Sequence, residues 1–461
     1  MDGQSAEFTD LIEDARGEMR EGNLNDTARL LGEARKLEPK NPELWVQLAR
    51  LRFRAGDHIQ ALEASNRALE YGPQYAPALL MRAQFVRDSN GMAEALAWFE
   101  AAVKADPKNP EILAEYAATL GDLGRNVDML TVVRELDKVS KGHPQVFFLQ
   151  AVLASRAGMP VLARSLLAKS GLFQSNVPSA LLLDAVIDIQ QQTYDTAANT
   201  LAKLAERQPA NVRVSELLAR ALWLGGRDDE LIKRFASSAS APDTSPYLIM
   251  LVGRAYERRG ERDLAAPLIE QALAAREVQL AVLTGLEGIP APTATMRRAI
   301  MERNAVGAAE DAAKLLTRFR GSSDYLALAG DAALANGAMG TALAHYTQAA
   351  SVRRPWPMTR KMILATRAAG NDKAADALLI RAVQGEPRNT EALLMLAQRR
   401  AQAQDWERVA KLANLVFVLG AGNDPRVLDL QAKAAEALDK PEQAAKWDLT
   451  AEAVRPGRFV R

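Results

Sequence analysis

Glu38-Pro39-Lys40-Asn41-Pro42-Glu43 and Asp106-Pro107-Lys108-Asn109-Pro110-Glu111 are near-copies of one phrase, and Gly72-Pro73 echoes it midway between them. Pro39, Pro73 and Pro107 are therefore spaced 34 residues apart. The intervening stretch, Pro42 to Asn109, holds two consecutive copies of one unit. Ala49 matches Ala83, Ala61 matches Ala95, Ala68 matches Ala102 and, in looser chemistry, Trp45 matches Leu79. A turn between two helices needs a residue tolerant of positive φ, which means Gly, with Asn as second choice. Gly22, Gly56, Asn90, Gly124, Gly158, Gln192, Gly226 and Gly260 hold that place on one 34-residue grid. A period of this length with alternating large and small residues predicts stacked helix-turn-helix units.

Local chemistry supports the same reading. Asn41 and Asn109 can cap free amides, the proline that follows fits the first helical position, and Glu meets the positive helix end. Pro209-Ala210-Asn211 and Pro387-Arg388-Asn389 repeat part of this device. Ala49, Ala83, Ala117, Ala151, Ala185, Ala219 and Gly253 fall on the grid where the helices of a unit should come closest, so a larger side chain there would overpack the contact.

These residues resemble the tetratricopeptide repeat (TPR) family. The resemblance implies an all-α fold, a right-handed superhelical solenoid of antiparallel helix pairs with about 11–13 helical-hairpin units. About eight units are expected in residues 1–277, an irregular helical connector in 278–322, about four further units in 323–454, and a basic tail in 455–461. The connector is placed where the grid fails: Gly337 lies off-register from Gly260, and Pro290 and Pro292 interrupt any helix. A displaced proline, Pro144, also marks the 137–145 connection as irregular.

Composition limits function. A net charge of +1 with 25% charged residues provides no global field for a polyanion or a membrane surface. The absence of cysteine removes disulfides, thiolate metal sites and a cysteine nucleophile. No apolar run approaches the roughly 20 residues that span a bilayer. As written the chain is expected to be soluble and cytoplasmic, or periplasmic or exported if an N-terminal signal has been removed. His58, His143 and His345 lie on different units without a metal-binding spacing, and neither Asp228-Asp229 nor Glu13-Asp14 reads as more than solvated helix surface. No catalytic residue, metal site or cofactor is therefore expected, and the chain reads as not an enzyme.

The resemblance implies that the first helix of each unit lines a concave binding surface. On that surface Arg16, Arg50, Arg54, Gln84, Phe148, Val152, Leu183, Val186, Arg220, Arg254 and Arg258 are the candidate partner contacts, with arginines at both ends and apolar residues in the middle. Such a groove suits a peptide with apolar side chains at its centre and acidic groups toward the guanidiniums. The competing reading is that these arginines pair with Glu43, Glu111, Glu216 or Glu257 and that the leucines are core. The Lys and Asn clamp of the family's co-chaperones has no counterpart at Ile12, Arg16, Gln47, Pro77 and Met81. A non-enzymatic scaffold for a protein or peptide partner is thus the leading expectation. The alternatives are a single-stranded RNA-binding helical-repeat protein, or a helper subunit of a larger enzyme or of a secretion or assembly complex. Near-neutral charge and apolar central units argue against nucleic acid.

Overall fold

The computed structural model describes residues 5–209, 211–240, 244–273, 291–301, 304–422 and 424–454. Among the described residues there are 26 α-helices in consecutive antiparallel pairs and no strand, the all-α solenoid of helix hairpins that the period implies. The chain divides into two compact units, each built from an early and a late segment: 1–142 with 291–386, and 143–290 with 387–461. The first division falls inside the 137–145 connection.

In the first unit the early segment forms four hairpins: Ala6–Glu21 with Leu24–Leu37, Pro42–Arg54 with His58–Tyr71, Ala76–Ser89 with Met92–Ala105, and Pro110–Asp122 with Asn126–Val139. The late segment adds Ala291–Met301 with Ala305–Arg318, Ser323–Ala335 with Met339–Ala350, and Trp356–Ala368 with Asp372–Gly385. Helix starts are set by the capping chemistry read from the sequence. The Asn41 side chain accepts from the Glu43 N–H, and Asn109 accepts from those of Glu111 and Ile112. The small-residue slots are closed: Ala49, Ala83 and Ala117 are fully buried, Ala49 in a cluster with Ala61 and Ala64 and Ala83 in one with Ala95 and Phe99, from the second helices of their own hairpins.

The late segment of this unit returns to dock on the turns of the second and third hairpins. The Ile59 N–H donates to the Gly321 carbonyl at 3.1 Å, and the Arg354 N–H to the Asp88 carbonyl at 2.8 Å. Val352 completes the apolar cluster of Trp45, Val46 and Phe85. At the third turn Gly91 meets Gly385 so closely that a Cβ on Gly91 would lie 2.5 Å from the Gly385 Cα. This contact corrects the grid at one point. Asn90 keeps a negative φ of −110°, and Gly91 takes the positive one, φ 113° with ψ 163°. That conformation is open essentially to glycine alone, and the neighbouring backbone leaves no room for a side chain.

A polar cluster sits inside the same late segment. The Asp331 carboxylate accepts from the Tyr346 hydroxyl at 2.6 Å and the Lys361 ammonium at 2.7 Å, and all three side chains are buried or nearly so. Burial pushes the Asp331 carboxyl above its ordinary range, with Lys361 opposing the shift, and it pushes the Tyr346 phenol upward as well.

The second unit repeats the hairpin theme with Pro144–Arg156 and Pro160–Ser170, Pro178–Gln190 and Tyr194–Arg207, Val212–Leu224 and Asp228–Ala239, and Pro246–Arg258 and Arg262–Leu273. Its late segment contributes Thr390–Gln402 with Trp406–Val416, then Pro425–Ala437 with Pro441–Val454. Arg164 bridges two hairpins by a fork onto Asp184 at 2.8 Å and Asp188 at 2.5 Å. Asp228, expected on a solvated surface, is largely covered and paired with Arg258, because the next hairpin stacks upon it. Of the expected connector, 278–290 lies outside the described residues, as does the 455–461 tail; its described part contains the helices Ala291–Met301 and Ala305–Arg318.

Candidate binding groove

Three consecutive first helices of the first unit place equivalent residues side by side, because the 34-residue repeat returns each slot to the same face. Arg16, Arg50 and Gln84 form one row, Met19, Phe53 and Arg87 a second, and Arg20, Arg54 and Asp88 a third. Together with Met81 and Phe85 they line a cavity of about 720 Å³, which Arg353 borders from the returning segment. This volume lies within the range of sites that enclose a small ligand or a few side chains. Its floor is apolar, with Phe53 and Phe85 in edge-on contact at 5.9 Å between ring centres. Six guanidiniums and two carboxylates line it.

Most of the positive charge is answered locally. Arg16 pairs with Glu43, Arg50 with Glu111 at 3.3 Å, and Arg87 with Glu115 at 2.8 Å. Arg353 lies 4.0 Å from Asp324 and over the Phe53 ring at 6.0 Å. Arg20 and Arg54 differ, since they donate to main-chain carbonyls: Arg20 to Arg16 O and Arg54 to Met19 O.

The eleven sequence-derived candidates divide between the units. Arg16, Arg50, Arg54 and Gln84 share the cavity just described. In the second unit Phe148 and Val152 pack against a core cluster that contains Leu183, while Val186 packs on the cluster around Leu218 and Val252. Leu183 is 9% exposed and so offers little surface. Arg220 is exposed beside Tyr247, whose phenol is raised chiefly by burial. Arg254 pairs with Glu257 at 2.7 Å, and Arg258 pairs with Asp228 while its guanidinium covers the Trp223 ring at 5.3 Å. The pairing of arginines with Glu43, Glu111 and Glu257 is the one the sequence offered as the competing reading.

Phe53, Phe85, Arg87 and Arg353 were missed as groove residues. The first and third sit one slot before Arg54 and Asp88, so the grid already pointed at them. Arg353 had no such signal, because only the return of the late segment brings it there.

A recurrent staple joins neighbouring hairpins. Arg54 donates to Met19 O, Gln190 to Ser155 O at 3.1 Å and Arg258 to Trp223 O at 2.9 Å. The donors and the acceptors each fall on one grid slot, so a single geometric contact recurs along the chain.

A family model described as tetratricopeptide repeat matches residues 18–85, and a second of the same description matches 182–241. No curated protein matches the sequence significantly. Solved structures similar to this chain include a tetratricopeptide repeat protein from Parabacteroides merdae, 19% identical, covering 60% of this chain and 95% of that one with a TM-score of 0.30. Another is PilW, a type IV pilus biogenesis factor, at 20% identity, 48% and 100% coverage and a TM-score of 0.38. A human IFIT1 dimer with m7Gppp-AAAA is 16% identical, with 73% and 80% coverage and a TM-score of 0.43.

Proposed function

This chain is a tetratricopeptide-repeat protein, and we propose that it acts as a non-catalytic scaffold that receives a peptide segment in the groove of its first unit. The observation that carries this reading is the cavity of about 720 Å³ built from equivalent slots of three successive first helices, with a phenylalanine floor and an arginine rim. An apolar floor takes side chains out of water, and the rim answers acidic groups beside them. The seven second-unit candidates are first-helix positions of that unit and are proposed as a contact surface of their own, to which the exposed Arg220 contributes most and the nearly buried Leu183 least. Nucleic acid is the less favoured occupant, because Glu43, Glu111 and Glu115 stand among the arginines and would meet a phosphate backbone with like charge.

The test is selection of peptides from a random display library on the full chain, followed by challenge with Gln84→Trp. Gln84 is half-buried and lines the cavity, so an indole there fills the space from one wall. Selected peptides should lose binding to this variant while its helical content and melting midpoint stay near the parent's. Unchanged peptide binding by a properly folded Gln84→Trp chain would place the receiving surface elsewhere.

A further inference from the structure

We propose that the loop 351–355 of the returning segment is a latch on the groove, so that docking of the late segment and occupancy of the groove favour each other; the inference rests on the groove reading above and adds how that site is regulated. The loop joins Met339–Ala350 to Trp356–Ala368. Val352 is 1% exposed and belongs to the apolar cluster of the second and third hairpins. Arg353 borders the cavity, with its guanidinium over the Phe53 ring at 6.0 Å. Arg354 donates its main-chain N–H to Asp88 O at 2.8 Å and its guanidinium to Asn90 O at 3.1 Å.

The floor of the groove and the seat of the loop are the same residues. Met81 and Phe85 line the cavity and belong to the cluster that holds Val352, and Phe53 lines the cavity and packs against that cluster. Asp88, which accepts the Arg354 N–H, is a cavity residue as well. The Phe53 ring also lies 5.0 Å from His58, whose Nδ1 accepts from the Ser323 N–H of the late segment. Close-packed side chains pass a displacement to their neighbours. Withdrawal of the loop therefore removes the Arg353 wall and leaves a gap in the cluster on which the floor is built. A ligand that touches both binds the docked form more tightly, and by linkage it holds the loop down to the same degree. The latch can be lifted without touching the cavity. A Cβ on Gly385 would lie 2.4 Å from Asn90 O and 3.1 Å from the Gly91 Cα, and a backbone cannot swing aside as a side chain can. Gly385 closes the helix Asp372–Gly385, where alanine is the better helix former, so Gly385→Ala opposes docking without straining its own helix.

The probes are the display-selected peptides that lose binding to Gln84→Trp, since these report on the groove. Their affinity for the full-length Gly385→Ala chain should fall at least about fivefold, the low end of typical coupling between two sites. A second measurement needs no variant: hydrogen exchange at the Arg354 amide of the parent chain reads undocking directly, because that amide donates across the seam to Asp88. In the free chain it should be less protected than the interior of the helix Ser323–Ala335, as local opening requires. Saturating peptide should slow its exchange at least about fivefold, to a plateau equal to the full loss of affinity on undocking. Should Gly385→Ala fail to fold, the exchange at Arg354 decides alone. Equal affinity for a folded Gly385→Ala chain, exchange at Arg354 that peptide leaves unchanged, or an Arg354 amide as protected in the free chain as the helix interior, overturns the latch while the groove stands. A library that yields no peptide sensitive to Gln84→Trp overturns the groove and the latch together.

Discussion

Acidification should loosen the seam between the early and late segments of the first unit, and His58 is the group through which it acts. The imidazole is 8% exposed, and its Nδ1 accepts from the Ser323 N–H at 3.2 Å while lying 2.9 Å from the Ser323 Oγ. An acceptor Nδ1 requires the proton of the neutral ring to be on Nε2. The groups that face it are Asp57, Asp324, Arg353 and the Phe53 ring. Burial is the largest influence and lowers the imidazole below its ordinary value of 6.5; Arg353 lowers it further, and the two aspartates oppose. The unfolded chain therefore takes up the proton first. The stabilisation is complete above the unfolded value and is lost as the pH falls below it toward the folded one, with a limiting slope of about 1.4 kcal/mol per pH unit. Seen from the structure, protonation turns Nδ1 into a donor facing the Ser323 N–H, while the Ser323 hydroxyl can rotate to accept from it. With one bond lost at about 1 kcal/mol, the loss is limited to about 1 kcal/mol. His345 is also lowered by burial, so a local readout is needed. Hydrogen exchange at the Ile59 and Ser323 amides, corrected for the intrinsic pH dependence, provides it, since Ile59 donates across the seam to Gly321. Between about pH 7.5 and pH 5.5 their protection should fall severalfold, with about tenfold as the ceiling. His58→Asn, whose side-chain oxygen can accept without titrating, should show no such fall. An equal fall in that variant, or none in the parent, refutes the reasoning.

Two further outcomes follow from packing. Ala83→Leu puts a branched side chain into a fully buried slot between the helices of the third hairpin and should cost about 1–3 kcal/mol, read as a lower denaturation midpoint; an unchanged midpoint counts against the 34-residue alignment. Lys361→Met strips the ammonium from Asp331 while the carboxylate stays buried, at a cost of about 3–5 kcal/mol. Adding Asp331→Asn should recover much of that loss, because the Tyr346 hydroxyl keeps an acceptor; failure to recover would show that the ion pair is not the source.

The hairpins themselves were legible because each rule involved is local. Asn41 and Asn109 cap where the Asn-Pro-Glu phrase places them, and the grid glycines take positive φ at Gly22, Gly56 and Gly124. The grid failed at Asn90, where the turn is shaped by Gly385, a residue nearly three hundred positions later that no period relates to it. The groove was half legible for the same reason. Arg16, Arg50, Arg54 and Gln84 share a face because a repeat returns every slot to it. Which arginines keep uncommitted charge depended on Glu43, Glu111 and Glu115, whose reach across hairpins only the packing sets.

What the amino-acid sequence determined by itself was the unit of construction: helix starts, turns and close-packed alanine slots, all governed by neighbours within a few residues or one period. The tertiary structure alone decided how early and late segments combine. Ile59 finds Gly321, His58 finds Ser323 and Arg353 reaches Phe53 through contacts that carry no periodic signature. A repeat specifies how each hairpin meets the next, and that interaction is short-ranged. The return of the chain upon itself rests on a few individual side chains and two apposed glycines, whose complementarity exists only once both surfaces have formed.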